Sequence, residues 1–341
     1  MTDKTEIDPM DAAAQVVQLA SSHVIARAVQ TVAELGIADH LNDGARTAAE
    51  LAAVTGTHAP TLHRLMRSMA GAGLFAEDEQ GRFSLTPLGS ALRTGAPGYA
   101  RSAARAMGGP LMWRAFGDFR RTLENGEPVM EAPIFTDMSG SPEHAARVNE
   151  TQMAFAGAEP AAVTKAYDFA GIRSLVDVGG NIGNLLTTIL LANPSLRGVV
   201  YDLPHVATVA RRTVAERGLS DRCDVVGGSF FDSVPTGHDA YMLSHVVHDW
   251  PEPKCLTILG NIRRAIPDDG RLLIVEQIIP TGNEPHPSKF IDLILLTTTG
   301  GRERTLDEYT ALLASAGFRI RRVVPTQMAV SVIEAEPVRR S

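Results

Sequence analysis

Residues 175–188 read LVDVGGNIGNLLTT. An apolar run closes on Asp177, a glycine-rich turn follows at Gly179, Gly180 and Gly183, and a helical pattern begins. About twenty residues later GVVYDLP repeats the arrangement and places Asp202 where a second strand should end. A strand, a glycine turn at a helix N-terminus and an acid at the next strand tip predict a nucleotide-type pocket. The glycines let the backbone approach the ligand, and the second acid can accept hydrogen bonds from both ribose hydroxyls. The competing reading is an ordinary tight turn in an α/β protein.

The spacing helps to choose the ligand. A dinucleotide fingerprint wants G-x-G-x-x-G, whereas here G-G-x-x-G is preceded by an acid two residues before the first glycine. That pattern resembles the D-x-G-x-G-x-G motif of S-adenosylmethionine (SAM) dependent methyltransferases. Asn181 stands where that family usually has its middle glycine. Asparagine tolerates left-handed backbone angles better than most residues, so the turn is expected to survive.

The 341 residues are enough for about two domains. A hydrophobic content of 44% and a charged content of 21% suit a soluble globular chain. A net charge of −7 argues against a nucleic-acid partner, because phosphate binding needs a basic surface. Two cysteines, Cys223 and Cys255, offer neither a disulfide framework nor a metal cluster. The start MTDKTEIDPMD is no signal peptide, and the apolar stretch near FIDLILLTTT is too short to span a bilayer. A cytoplasmic protein with no membrane or nucleic-acid partner is expected.

Residues 11–35 carry apolar residues at helical spacing, with Gly36 as the stop. Thr47 with Glu50 forms a capping box. A short helix, a turn at Gly56, a second helix through Leu62, Leu65 and Met69, and two strands around Asp78–Gly81 make a winged helix–turn–helix pattern. Its second helix carries His63, Arg64 and Arg67, so a DNA reader competes with a dimerisation scaffold; the acidic balance favours the scaffold. Residues 97–168 read as helical and irregular, and their methionines and aromatics, among them Trp113 and Met153, suit either core packing or a flat apolar ligand. From 175 onward strands at 175–178, 198–202, 223–226, 239–243 and 271–276 alternate with helical stretches, which predicts a doubly wound, mostly parallel sheet. FRIRRVVP and MAVSVIEAEP near the end predict an antiparallel hairpin. The expected domains are 1–98 for dimerisation, 99–168 as a helical linker that contributes to the acceptor pocket, and 169–341 for the cofactor.

Ligands of open α/β sheets sit at the carboxyl ends of the strands. One such end reads SHVVHDWPE from Ser244. His245 and His248 with Asp249 could ligate a metal, could be structural, or could supply a general base at His248, since imidazole titrates near neutrality. No second ligand cluster supports a metal, and none is expected.

HVVHDWPE, AIPDDGRLLIVEQIIP and GGRERTLDEYTALLASAGF together resemble the small-molecule O-methyltransferases of plant caffeate and bacterial polyketide pathways. The resemblance covers nearly the whole chain and implies the Rossmann-like methyltransferase fold, an N-terminal winged-helix dimerisation domain and a homodimer. It implies SAM as cofactor and an aromatic or polyketide-like hydroxyl as acceptor. It implies His248 as the base, flanked by Glu276 and Glu303; the competing readings are a solvent-facing strand end for Glu276 and a surface pair with Arg302 or Arg304 for Glu303. The expected cofactor contacts are Asp177, Gly179, Gly180, Gly183, Asp202, Leu203, Ser229, Phe230 and Ser244. The expected acceptor contacts are Trp113, Met153, Asp249, Asp292 and Leu295. Ser229 in GGSFF replaces an acid usual in the family, and Ser244 stands where plant members carry lysine. These departures leave open a SAM-binding relative that does not methylate, such as a hydroxylase or pericyclase. A winged-helix regulator with a sensing C-terminal domain is the remaining alternative.

Overall fold

A computed structural model describes residues 8–129 and 157–339. The chain divides into two compact units, one reaching Arg114 and the other resuming at Ala115 and holding everything from Ala158 onward.

The first unit opens with a helix over Pro9–Glu34. Gly36, at φ 65°, turns the chain into a short helix, Ile37–His40. The capping box on Thr47 forms: its hydroxyl accepts from the Glu50 N–H, and the Glu50 carboxylate accepts in return. Helices Ala48–Thr55 and Ala59–Gly71 pack around Leu51, Leu62, Met66 and Met69. Strands β1 (Arg46–Thr47), β2 (Phe75–Glu77) and β3 (Arg82–Leu85) form a small sheet in the order β1-β3-β2. This is the predicted winged helix. His63 of its second helix faces Glu77 at 3.2 Å and lies edge-on to Phe83. The long first helix leaves Met10, Val16, Val17, Leu19, Val24 and Ile25 more than half exposed.

The second unit is a seven-stranded sheet. Its strands are β4 (Ser174–Val178), β5 (Arg197–Asp202), β6 (Cys223–Gly227), β7 (Ala240–Ser244), β8 (Arg271–Gln277), β9 (Phe318–Pro325) and β10 (Val330–Pro337). Their order is β6-β5-β4-β7-β8-β10-β9, parallel from β6 to β8 and antiparallel for the last two. The strands read as continuous apolar runs because helices cover both faces. Val176, Leu243 and Ile274 fill one layer, whereas Leu175, Met242 and Leu273 fill the other. The predicted strands and hairpin form within a residue or two of their expected bounds. Register then places the site: Asp177 pairs with Val200 and Met242, and Ser244 pairs with Val275. The turn leaving β7 therefore falls beside Glu276 at the end of β8.

Candidate active site

The turn after β4 needs the left-handed region three times, at Gly179 (φ 75°), Asn181 (φ 50°) and Gly183 (φ 80°). Asn181 adopts the angle expected of it. A Cβ at Gly179 would stand 2.8 Å from a Val246 methyl and one at Gly183 would stand 2.9 Å from Val200, so both positions are also sterically closed to larger residues. The Gly179 N–H donates to the Tyr201 carbonyl at 2.8 Å. Asp202 accepts from the Asn181 and Leu203 N–H groups, each at 2.7 Å, which fixes its carboxylate at the tip of β5. Asp177 is 2% exposed, and its Oδ1 has no hydrogen-bond partner; Asn181 Oδ1 is orphaned as well. Burial, with a smaller contribution from the charge of Asp202, pushes the Asp177 carboxyl up to about 7. Burial raises Asp202 too, against the pull of its two N–H donors.

Two orphaned oxygens, an oriented carboxylate and a close backbone turn fit a SAM molecule at this strand end. Asp202 and the turn would hold its ribose and amino-acid parts. Phe230 lies over the turn, 3.4 Å from where a Gly179 Cβ would be, and packs edge-on to Phe231 and Trp250. The Ser229 hydroxyl already accepts from the Phe231 N–H at 3.2 Å. Ser244 is partly exposed at the end of β7.

Next along the sheet is a buried cluster of imidazoles and carboxylates. His248 lies in the 3₁₀ turn Val247–Asp249 that follows β7. Its Nδ1 is 3.1 Å from Glu303 Oε1 and 3.2 Å from Glu276 Oε2. Its Nε2 is left with Asp249 Oδ1 at 3.8 Å. Glu276 is fully buried, and Glu303 is 2% exposed. The solvent-facing reading of Glu276 is therefore overturned. So is the surface pairing of Glu303: Arg302 turns instead to Glu252 and Glu308, and the buried Arg304 donates to the Val247 carbonyl.

The turn is pinned from several sides. Glu276 Oε1 accepts from the Val247 and His248 N–H groups at 3.0 and 3.3 Å. The Arg302 N–H donates to the His248 carbonyl at 2.8 Å. Gly301 makes this approach possible, since a Cβ there would stand 1.9 Å from that carbonyl oxygen. Cys255 donates its thiol to the Val247 and Trp250 carbonyls. Burial alone would lower the His248 pKa, but Glu276, Asp249 and Glu303 outweigh it and hold the imidazole up at about 10. Burial pushes Asp249 up to about 6, against the pull of His248.

His248, Glu276, Glu303 and Asp249 thus converge. Asp292 reaches the same cluster from the helix Pro287–Thr298, where its Oδ1 accepts from the Glu303 N–H at 2.8 Å, so it braces the loop that carries Glu303. Leu295 is buried on that helix. Trp113 belongs to the first unit, where it is 41% exposed under the Arg27 guanidinium. Met153 lies outside the described residues. Sequence reasoning missed Glu159, whose Oε2 is 2.6 Å from His245 Nε2. No pattern links two residues so far apart in the chain. It also passed over the bracing roles of Gly301 and Arg304, although both stand in the quoted GGRERT.

Residues 113–319 match an O-methyltransferase domain and residues 17–95 an O-methyltransferase dimerisation domain. The chain is 39% identical to phenazine O-methyltransferase PhzM of Lysobacter antibioticus over 99% of its length and 100% of the relative's. It is 32% identical to phenazine-1-carboxylate N-methyltransferase of Pseudomonas aeruginosa, covering 95% and 97% of the two chains. Its fold matches the O-methyltransferase NcsB1 from neocarzinostatin biosynthesis, solved with SAM and 2-hydroxy-5-methyl naphthoic acid, at a TM-score of 0.83 and 33% identity over 92% and 96%. An apolar helix face exposed among the described residues of the first unit, a glycine turn at a strand end and a buried histidine between two glutamates coincide with these matches, and the chain belongs to the O-methyltransferase family.

Proposed function

We propose that this enzyme transfers the methyl group of SAM to a hydroxyl of an aromatic or polyketide-like small molecule, with His248 as general base. The observation that carries the reading is the buried His248 imidazole, whose Nδ1 stands between Glu303 and Glu276 at 3.1 and 3.2 Å. When bound, SAM supplies an electrophilic methyl on a sulfonium. The residues of the chain do the rest. Glu276 and Glu303 keep the proton on Nδ1, so Nε2 is the nitrogen that takes the acceptor's proton. A base held near 10 matches a phenol, whose own pKa is about 10, and proton transfer between matched partners has a small penalty. The turn and Asp202 hold the cofactor in place, and alignment of that kind contributes about 7–11 kcal/mol in favourable cases.

An amine is already a nucleophile and needs no such base, so the cluster supports an oxygen acceptor although two relatives are named for methylating nitrogen. The exposed apolar face of the helix Pro9–Glu34 supports a homodimer formed through the first unit, with no role in DNA binding. The test is incubation with SAM and a panel of phenols, hydroxynaphthoates and matched aryl amines, read by mass spectrometry. O-methylated product is expected. Methylation confined to the amines would remove the reading, and so would cofactor turnover without methyl transfer.

A further inference from the structure

A second histidine–carboxylate pair adjoins the base. Glu159, in the helix Glu159–Ala166, is 7% exposed and places Oε2 2.6 Å from His245 Nε2. The other ring nitrogen of His245, Nδ1, lies 3.9 Å from Glu276 Oε2, the oxygen that faces His248. The two imidazole rings are 5.2 Å apart. Carboxylate and imidazole therefore alternate through five residues: Glu159, His245, Glu276, His248 and Glu303.

The backbone is arranged for this. His245 has φ 52°, one of three non-glycine residues with positive φ among the described residues. Such a conformation costs a non-glycine residue of order 1 kcal/mol or more and persists only where its surroundings impose it. Without that reversal, the residue after Ser244 would continue the strand instead of turning its ring toward Glu276.

We propose that Glu159 and His245 form a positioning dyad that keeps Glu276 ionised and turned toward His248, and so sets the pH at which the base works. The inference rests on His248 being the base. His245 is faced by Glu159, by Glu276 from β8 and by His248 and Asp249 from the 3₁₀ turn; burial and the like charge of His248 would lower its pKa, but Glu159 and Glu276 raise it. Glu276 is faced by His248, His245, Glu303 and Asp249, with Tyr309 and Cys255 on the helices behind, and burial raises its pKa against the pull of the two histidines. His245 is a second imidazole beside Glu276, its Nδ1 3.9 Å from the Oε2 that His248 also approaches. Removing its charge makes Glu276 harder to ionise. An un-ionised Glu276 no longer supports a proton on His248, so the base weakens.

The test compares Glu159→Gln, His245→Ala and the double variant with the parent enzyme, with His248→Ala in parallel. The readouts are the pH profile of methylation, SAM affinity and thermal stability. Both single variants are expected to move the midpoint of the pH profile down by about one unit. The maximal rate should drop about tenfold with SAM affinity unchanged. The double variant should do no more than either alone, as coupled residues do. If His245→Ala fails to fold, the near-isosteric Glu159→Gln carries the test. An unmoved midpoint in folded Glu159→Gln overturns the dyad, even where stability or acceptor KM has changed. Should His248→Ala keep the parent rate and profile, the base itself is wrong and the dyad falls with it. Loss of rate in His248→Ala beside an unmoved Glu159→Gln removes the dyad alone.

Discussion

The enzyme holds two groups of buried carboxylates at the same edge of one sheet, and they are finished to different degrees. At the ends of β4 and β5, Asp202 accepts from two backbone N–H groups, and Asp177 Oδ1 has no hydrogen-bond partner among the described residues. Around the turn after β7, Glu276 and Glu303 close on an imidazole of the protein itself, although Glu276 Oε2 and Glu303 Oε2 also have no hydrogen-bond partner. On the proposed function, the first group is the one a ligand completes. The second carries its counter-charge within the chain. The pKa shifts follow. Asp177, raised to about 7, stabilises the fold while protonated, and that contribution is lost as pH climbs from the usual carboxylate range through 7. His248, raised to about 10, contributes fully below the ordinary imidazole range and keeps part of that contribution until the pH passes about 10.

The sharpest way to break the comparison is to empty the finished group. His248→Ala should lower methylation by about 10²–10⁴-fold and leave SAM affinity close to that of the parent. The parent rate should rise with pH toward about 10 as His248 gives up its proton. A variant that stays folded and methylates at the parent rate would mean that positioning alone suffices. Glu303→Gln should lose less, because it removes orientation but leaves the base.

The unfinished group should respond in binding. Asp202→Asn is expected to weaken SAM roughly tenfold or more, the range of a lost hydrogen bond to a charged group at about 1.5–3 kcal/mol. SAM affinity of the parent should fall as pH drops through about 7, where Asp177 takes up its proton. Isothermal titration at several pH values measures both, and a flat pH dependence would place the proton elsewhere.

Smaller effects sharpen the picture. Gly301→Ala would drive a methyl into the His248 carbonyl and should cost about 1–3 kcal/mol in chemical denaturation. Parent-like stability there would mean that the loop moves freely. The smallest effect is expected at Ser229→Asp, which restores the acid usual in the family; it should tighten SAM less than about tenfold. Unchanged affinity would mean that position 229 does not reach the cofactor.

The two groups also differ in how much the sequence disclosed. Asp177, the glycines and Asp202 are local: each sits one strand or one turn from a recognisable apolar run, so period and punctuation were enough. His248 was one of three readings of SHVVHDWPE, and Glu276 and Glu303 joined it through a resemblance, because 28 and 27 residues separate the three and no local rule joins a turn, a strand end and a loop. What they touch was not legible. Whether Glu303 faces solvent or imidazole depends on Gly301 allowing the loop to approach, which is a distance and not a pattern. Glu159 was invisible for the same reason, since its partner His245 is 86 residues away and the contact depends on one reversed φ. Asn181 was read correctly because its requirement is a backbone angle carried by the residue itself.

The Val247 and His248 amides, both donating to Glu276 Oε1, make the backbone a gauge of the site's ionisation. An amide proton held by a carboxylate shifts downfield in a magnetic resonance spectrum and moves back when that carboxylate takes up a proton. Two signals from adjacent residues should therefore titrate together, and ¹⁵N labelling would follow the charge on Glu276 through a catalytic cycle with no probe attached to the protein.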